Sequence, residues 1–342
     1  MPPKKRQKQA ETKQKPKVSK KEQIKKSLKI DTENTELLKD AYNVTFPADL
    51  HQLWELCCQI NKAKPLEALS SLGLRLVGPF EVLAKTIKPD ASNSVVNFYL
   101  HWRFFYDPPE LMTLIISDDT KENPYHIGYL RDDPNDKECI VVSNSGNDCE
   151  IDIIGDNIFC AINNELQLKL SSAKGKQKSA LQNFSSKFKE YVDAYNIDLK
   201  AADNVNERRK HIVDYTFHKA GIVVPIDENE VGYRPVQEST GTLRRMFKNI
   251  DQAVNDDARI DAFEVMQLTM TNVQLANDEC DFGMGLELGI NMFCYGSRYL
   301  NKAAGRMLSM AYELLKRDLY KKIIERHLAD RRKENYARLP IG

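Results

Sequence analysis

Hydrophobic residues in the early part of the chain recur at the spacing of α-helices. Residues 37–60 predict two helices, with Pro47 at the start of the second, where the missing N–H of proline is harmless. The apolar stripe of this second helix comprises Leu50, Leu53, Trp54, Cys57 and Ile60.

From Ser71 the pattern changes to an alternation of apolar and polar residues. Leu74 and Leu76 alternate before Gly78-Pro79 ends the run. The clearest alternation predicts a half-buried strand at residues 96–104, with a polar side made of Asn97, Tyr99, His101 and Arg103. Further strands are predicted at residues 111–116, 125–130, 139–142 and 151–162, the last interrupted at Gly155-Asp156. Short polar loops between these strands predict an antiparallel meander with helix packed on one face.

The second half of the chain is predominantly helical in its pattern. Residues 166–210 predict lysine-rich helix with a break at residues 174–176, and a short apolar segment closed by Pro225 follows. Helices are then predicted at residues 242–254, 258–276, 288–300 and 303–329.

These patterns predict an α+β fold, in which an N-terminal antiparallel sheet with packed helices is followed by a mostly α-helical second domain. The predicted divisions are a disordered basic arm at residues 1–34, an α+β domain at residues 35–165, and a mostly helical domain at residues 166–335. The acidic site described below belongs to the third of these.

Composition and cysteine usage exclude several classes of protein. The chain has 342 residues, 42% hydrophobic and 29% charged, which is typical of a soluble globular protein with room for two domains. No uninterrupted apolar run approaches the roughly 18 residues of a membrane span, and no signal peptide is expected. The seven cysteines form no CxxC pair, which argues against a disulfide framework or zinc ribbon and favours a reducing intracellular compartment.

The net charge of +1 conceals an asymmetry along the chain. Residues 1–30 hold twelve Lys or Arg residues against Glu11 and Glu22, a net of +10, so the remainder carries 1 − 10 = −9. A basic arm of this kind is expected to be disordered, to attract polyanions and to act as a nuclear-localisation signal. The alternative is a plain solubilising tail.

The most unusual stretch is residues 277–287, NDECDFGMGLE, directly after the helix predicted at 258–276. Asp278 and Glu279 fall at the C-terminal end of that helix, the negative pole of its dipole, where carboxylates are disfavoured. A carboxylate facing a dipole end and a second carboxylate holds a proton more readily, as a general base must. Gly283 and Gly285 are expected to let the backbone turn sharply. The alternative is a C-capping turn with solvated acids.

Other motifs in the sequence give little evidence of a metal or nucleotide site. The acidic stretch fails the calcium-loop spacing in both frames, and residues 283–289 do not fit the dinucleotide fingerprint, which needs a strand before its glycines. The six histidines show no metal-ligand spacing. Tyr233-Arg234, between Gly232 and Pro235, is a candidate contact pair at a loop tip, because Tyr and Arg are enriched in interface hot spots. Equally, Arg234 could be satisfied internally by Asp227, Glu228 or Glu230.

A candidate base without a cofactor site or complete catalytic set is what a protein would show if a partner supplied the rest of the active site. The chain closely resembles the histone PARylation factor family over residues 35–330. The resemblance is carried by residues 71–80 (SLGLRLVGPF), 100–110 (LHWRFFYDPPE), 220–225 (AGIVVP), 231–234 (VGYR), 276–289 (ANDECDFGMGLELG) and 293–297 (FCYGS).

The resemblance implies an accessory factor of DNA-damage-activated poly(ADP-ribose) polymerases. Such a factor docks on the catalytic domain of the polymerase, completes a joint active site and redirects ADP-ribosylation to serine, notably on histones. It implies that Glu279 is the catalytic glutamate and that Asp278, Tyr233, Arg234 and Asp281 contact the polymerase. No stand-alone activity is expected, no cofactor or metal is expected on this chain alone, and NAD⁺ is expected in the site of the polymerase.

The expected partners are therefore the polymerase catalytic domain and histones, with weak nucleic-acid contact through residues 1–30 and no membrane. The expected location is the nucleus, on chromatin at sites of DNA damage. Some relatives carry an N-terminal zinc finger, but no Cys or His precedes His51 here. Two alternatives are a non-catalytic histone or chromatin adaptor using the basic arm and the acidic surface, and, more weakly, a hydrolase using Asp278 and Glu279.

Overall fold

The computed structural model describes residues 32–87, 95–334 and 336–337. The predicted disorder of the basic arm therefore lies, as far as residue 31, outside the described residues. The first two helices are confirmed as α1 (Thr32–Tyr42) and α2 (Ala48–Ile60), with Pro47 at the N-cap of α2. Their apolar faces bury Leu38, Leu50, Leu53 and Cys57 in the first hydrophobic core.

A five-stranded antiparallel meander in the order β1-β2-β3-β4-β5 confirms the predicted sheet. Its strands are β1 (Leu74–Leu76), β2 (Leu111–Ser117), β3 (His126–Leu130), β4 (Ile140–Asn144) and β5 (Ile151–Gly155), and a short helix, α3 (Pro79–Leu83), follows β1. After the break at residues 155–156 the chain continues as helix, so the predicted strand at 151–162 is wrong beyond Gly155.

Both faces of the sheet are covered, and every residue of β3 and β4 is buried. On one face Leu114, Ile127 and Val141 pack into the core shared with α4 (Ile158–Ser172) and α5 (Gly175–Tyr195). On the other face Leu130 and Val142 cluster with Val205 of α6 (Asp203–His211). The prediction of helix on one face was incomplete, since a half-exposed sheet would leave alternate residues in water.

The strand predicted at residues 96–104 is wrong. A 3₁₀ helix occupies Val95–Leu100, and turns follow it. Tyr99, His101 and Arg103, which were expected on a solvated side, are buried instead, and Arg103 donates to the carbonyl oxygens of Tyr99 at 2.9 Å, Pro108 at 2.7 Å and Leu111 at 3.0 Å. The Arg103 guanidinium thus satisfies three backbone carbonyls of this segment and of the chain that follows it.

Helices dominate the second half. They are α7 (Thr240–Asp251), α8 (Asp256–Asp278), α9 (Gly283–Tyr295), α10 (Asn301–Leu314) and α11 (Asp318–Ala329), and a small antiparallel pair, β6 (Ile212–Asp214) and β7 (Ile222–Val223), precedes them. Residues 283–294 of α9 are all buried, so α9 is the central helix of the second core. The helix predicted at 303–329 is two helices, because Lys316 adopts a left-handed φ of 60° between them.

The two halves share polar contacts. Arg208 makes a bidentate pair with Asp132, with N–O distances of 2.7 and 2.8 Å. The Tyr312 hydroxyl donates to Glu110 at 2.9 Å. The predicted division at residues 165–166 stays a prediction, while α4 runs through it and packs, with α5, on the first core. Among the described residues, no helix combines the length and apolarity needed to cross a bilayer.

Candidate functional site

Glu279 lies at the C-terminal end of α8, as predicted from the hydrophobic spacing, and is the C-cap residue. Two backbone bonds close the helix there: Cys280 N–H donates to Asn277 O at 3.1 Å, and Asp281 N–H donates to Ala276 O at 2.8 Å. This is the Schellman arrangement, with Cys280 at a left-handed φ of 67° where glycine is usual. The turn aims Asp278 and Glu279 outward, and both are exposed.

The sharp turn does not come from the two glycines that were predicted to provide it. Gly283 and Gly285 lie inside α9 and are buried. Gly283 instead permits close packing, since a Cβ there would come within 2.8 Å of the Tyr233 ring. Because Gly283 has no side chain, the 232–234 loop can pack directly against the start of α9.

Arg234 joins this turn through an ion pair. Its Nη2 hydrogen-bonds the Glu279 carboxylate and lies 2.9 Å from Oδ2 of Asp281. The internal satisfaction of Arg234 left open by the sequence is therefore real, but its partners are Glu279 and Asp281 rather than the acids at 227–230. Hydrogen bonding to Glu279 is the main cause that raises the pKa of Arg234.

The Arg234–Glu279 pair stands in solvent. The Arg234 side chain is 46% exposed and that of Glu279 is 58% exposed. Water and salt screen such a pair, and its two long side chains lose rotamer freedom to keep it, so an exposed pair is held weakly. A competing carboxylate in a less solvated setting can therefore displace it.

Asp281 is the buried anchor of the site. Its side chain is 11% exposed, and Oδ1 accepts a hydrogen bond from Gly232 N–H at 3.0 Å. Gly283 N–H donates in turn to Gly232 O at 2.9 Å. These reciprocal bonds join the loop that carries Arg234 to the turn that carries Glu279. They therefore fix the two residues in position relative to each other.

Tyr233 is fixed by Glu287, a residue that the sequence analysis did not single out as part of the site. One oxygen of Glu287, Oε2, accepts from the Tyr233 hydroxyl at 3.0 Å and from Val236 N–H at 3.0 Å. Burial raises the pKa of Glu287 to about 7, and burial also raises that of Tyr233. The available signal was a single charge inside the otherwise apolar run of α9.

We expect Glu287→Gln to change how stability depends on pH. Because burial raises the pKa of Glu287 from 4.5 to about 7, the folded state binds the extra proton, and stability is lost as pH rises through that range. Glutamine keeps an acceptor for both donors and stays neutral. Its free energy of unfolding at pH 8 should exceed that of the native chain by about 3 kcal/mol, at 1.36 kcal/mol per pKa unit, and match it near pH 4.

Urea unfolding at the two pH values measures this difference. Glu264→Gln, at an exposed position of α8, is the matched control, and we expect it to leave the pH dependence unchanged. Parallel stability curves for the native chain and Glu287→Gln would contradict the prediction.

The structure thus brings Glu279, Arg234 and Asp281 into direct contact, holds Tyr233 beside them against Gly283, and places Asp278 next to Glu279 on the surface. Within the described ranges, no three His, Cys, Asp or Glu side chains converge as a metal-ligand set. Chemically, the site offers two neighbouring exposed carboxylates, Asp278 and Glu279, and Arg234 holds the second of them in an ion pair.

Comparisons with known proteins identify the family of the chain. The family model for Histone PARylation factor 1 matches residues 32–331. Histone PARylation factor 1 of Mus musculus is 44% identical over 307 residues, covering 88% of each chain, and that of Bos taurus is 43% identical over 302 residues, covering 87% of each. That of Danio rerio is 40% identical over 314 residues, covering 91% of this chain and 89% of the relative. The chain belongs to the Histone PARylation factor 1 family.

Proposed function

We propose that this protein is an accessory factor that docks on a poly(ADP-ribose) polymerase and supplies the Glu279 carboxylate as general base for ADP-ribosylation of serine in histones. The observation that carries the proposal is the position of Glu279, exposed on a firmly closed helix end and held, among the described residues, only by an exposed arginine. A carboxylate that only stabilised the fold would not need to be exposed. Nor would it need the buried bond between Asp281 and Gly232 to fix its surroundings.

The chemistry requires such a carboxylate. The serine oxygen attacks the ribose carbon of NAD⁺ that bears nicotinamide, the carbon–nitrogen bond breaks, and nicotinamide leaves with the bonding electron pair. The serine hydroxyl proton goes to Glu279, because the alcohol is a poor nucleophile until a base within hydrogen-bond reach accepts that proton. The polymerase holds NAD⁺ in this scheme, and the present chain contributes the base.

Arg234 has two roles in the proposal. In the free chain it occupies the Glu279 carboxylate, so the base is not available to other donors. On docking, Arg234 turns to an acceptor on the polymerase, and Glu279 becomes free to face the serine. Tyr233, packed on Gly283 and fastened by Glu287, gives the docking loop a rigid base.

An apolar strip on α8 supports docking beside the site. Leu268 and Leu275 are 67% and 54% exposed, and they lie on the helix face that ends at Glu279. Leu275 precedes Glu279 by four residues, one helical turn, so the strip and the carboxylate face the same way. Exposed apolar residues next to a functional group are typical of a protein interface.

The charge of the body suits a basic substrate. Outside residues 1–30 the chain carries a net charge of −9, which favours the approach of Lys- and Arg-rich histone tails. In this proposal the basic arm directs the protein to the nucleus and contributes weak contact with nucleic acid at damaged chromatin, and no cofactor binds to the chain by itself.

Reconstitution tests the proposal. A purified poly(ADP-ribose) polymerase, NAD⁺, nicked DNA and a histone H3 peptide are combined with and without this protein, and mass spectrometry identifies the modified residue type. We expect serine modification only when the protein is present, and none when it is mixed with NAD⁺ alone. The same assay on a chain lacking residues 1–30 should retain serine modification, whereas a non-catalytic adaptor acting through the arm would lose its effect.

A further inference from the structure

The hairpin formed by α4 and α5 carries a cationic surface that the proposed function does not use. From residue 166 to 189 the sequence contains no Asp or Glu and six lysines, namely Lys169, Lys174, Lys176, Lys178, Lys187 and Lys189. The chain outside residues 1–30 has a net charge of −9, so this segment is a positive island on an acidic body. We call these six residues the lysine cluster.

The cluster lies on the outer side of the hairpin. The inner side of α5 buries Leu181, Phe184 and Phe188 in the first core. Five of the six lysines are exposed and Lys169 is half-buried. Because the apolar face is fixed in the core, the orientation of the lysines toward solvent is fixed too.

The lysine cluster makes no ion pair with a carboxylate among the described residues. Elsewhere in that part of the chain lysines do pair, as Lys64 does with Glu67, Lys210 with Glu207, Lys219 with Glu150 and Lys321 with Glu313. No ion pair of these lysines therefore holds the fold, although Glu165, Glu190 and Asp193 of the same hairpin lie one helical turn from Lys169, Lys187 and Lys189.

Three of these lysines lie where a positive charge destabilises a helix. Lys174 is the N-cap of α5, where its side chain makes no capping hydrogen bond, and Lys176 and Lys178 lie in the first turn. That end of a helix is the positive pole of its dipole, which disfavours cations. A local arrangement that opposes folding without compensation indicates a role outside the fold.

The lysines of α5 form two rows along the helix. Lys176 and Lys187 are eleven residues apart, as are Lys178 and Lys189, so each pair forms a row about 16 Å long, and at about 100° per residue the two rows lie on opposite flanks of the helix. The exposed residues between them are mainly serine, glutamine and asparagine, which donate readily to phosphate oxygens. No exposed residue of α5 is a large aliphatic or aromatic side chain.

We propose that the lysine cluster binds the phosphate backbone of duplex DNA without reading its sequence. Lysines and short polar side chains are the groups that contact phosphates, whereas sequence reading requires side chains placed against base edges in a groove. A folded acidic protein is a poorer fit, because stable protein interfaces are anchored by apolar and aromatic residues, which this face of α5 lacks. This surface is distinct from residues 1–30 and from the Glu279 site.

The test compares two quadruple variants of the full chain that lose the same charge. The first replaces Lys176, Lys178, Lys187 and Lys189 with glutamine. The control replaces exposed lysines outside the cluster, Lys62, Lys200, Lys302 and Lys322, with glutamine. Fluorescence anisotropy with a labelled duplex gives Kd over a salt series, and circular dichroism verifies that both variants are folded.

We expect the cluster variant to bind duplex DNA at least about tenfold more weakly near 0.1 M salt, and its slope of log K against log salt to fall by about 0.9 for each phosphate contact removed. The control should retain both quantities. An equal loss in the two variants would mean that only net charge matters, and it would overturn the proposal. Unchanged binding of duplex DNA by the cluster variant would also overturn it, even if binding of polyglutamate were lost.

Discussion

Replacing Glu279 with glutamine is expected to reduce serine modification in the reconstituted reaction by about a hundredfold or more, the usual contribution of a general base. Glutamine matches the size of glutamate and still accepts a hydrogen bond, but it takes no proton at neutral pH. The fold should not change, because the helix end is closed by backbone bonds from Cys280 and Asp281 rather than by the Glu279 side chain.

Asp278→Asn is the matched control, since it removes a neighbouring exposed carboxylate from the same turn. In the proposed arrangement this variant keeps the base and loses one contact to the polymerase, so saturating amounts should restore its rate. The Glu279 variant should stay inactive at any concentration. Full serine modification by Glu279→Gln would end the assignment of the base, even if Asp278→Asn were impaired.

Much of the sheet could be predicted from the sequence because its strands are short and strongly apolar. The meander from β1 to β5 follows directly from runs separated by polar loops. The segment at 96–104 was predicted wrongly because alternation says which residues differ in polarity, not which are solvated. Arg103 can be buried because carbonyl oxygens from residues 99–111 accept hydrogen bonds from its guanidinium. No local sequence pattern reveals these bonds.

The helical half shows a similar limit. Helical spacing predicts residues 303–329 as one helix, because no glycine or proline marks the break at Lys316. The turn after α8 was placed correctly, yet the residue with the left-handed conformation is Cys280 and not a glycine. Propensity favours glycine there, and the two backbone bonds of the cap offset that preference.

The acidic site was found from the sequence because carboxylates at a helix C-terminus oppose the dipole. Its ion pair could not be found in that way, since Arg234 and Glu279 are 45 residues apart in the chain. The buried bonds could not be found for the same reason: Asp281, expected as a contact to the polymerase, bonds Gly232, and Glu287, which was not singled out, bonds Tyr233, both across the fold. Local sequence thus identified the candidate groups but not the buried hydrogen bonds that position them.

Arg234→Ala should weaken binding of the polymerase by more than about tenfold, the usual effect of losing an interface arginine of the hot-spot kind. The fold should remain, because Gly232 stays bonded to Asp281 and Gly283 without the guanidinium. Isothermal titration calorimetry against the catalytic domain measures the affinity. Arg306→Ala, at an exposed position of α10, serves as the control and should bind normally. Unchanged affinity in Arg234→Ala would refute the docking role.

Because Arg234 and Glu279 form an ion pair in the free chain, Arg234→Ala and Glu279→Gln should have opposite effects on affinity for the polymerase and on maximal rate. Losing Arg234 leaves Glu279 unpaired, so Arg234→Ala should need more polymerase for half-maximal serine modification yet approach the native maximal rate at saturation. Losing the carboxylate frees Arg234 from its internal partner, so Glu279→Gln should bind the polymerase as tightly as the native chain or more tightly, because no competing contact must first be broken. Titrating the polymerase against each variant separates concentration from rate. If Glu279→Gln bound more weakly than the native chain, the internal pair would be an aid to docking rather than a competitor of it.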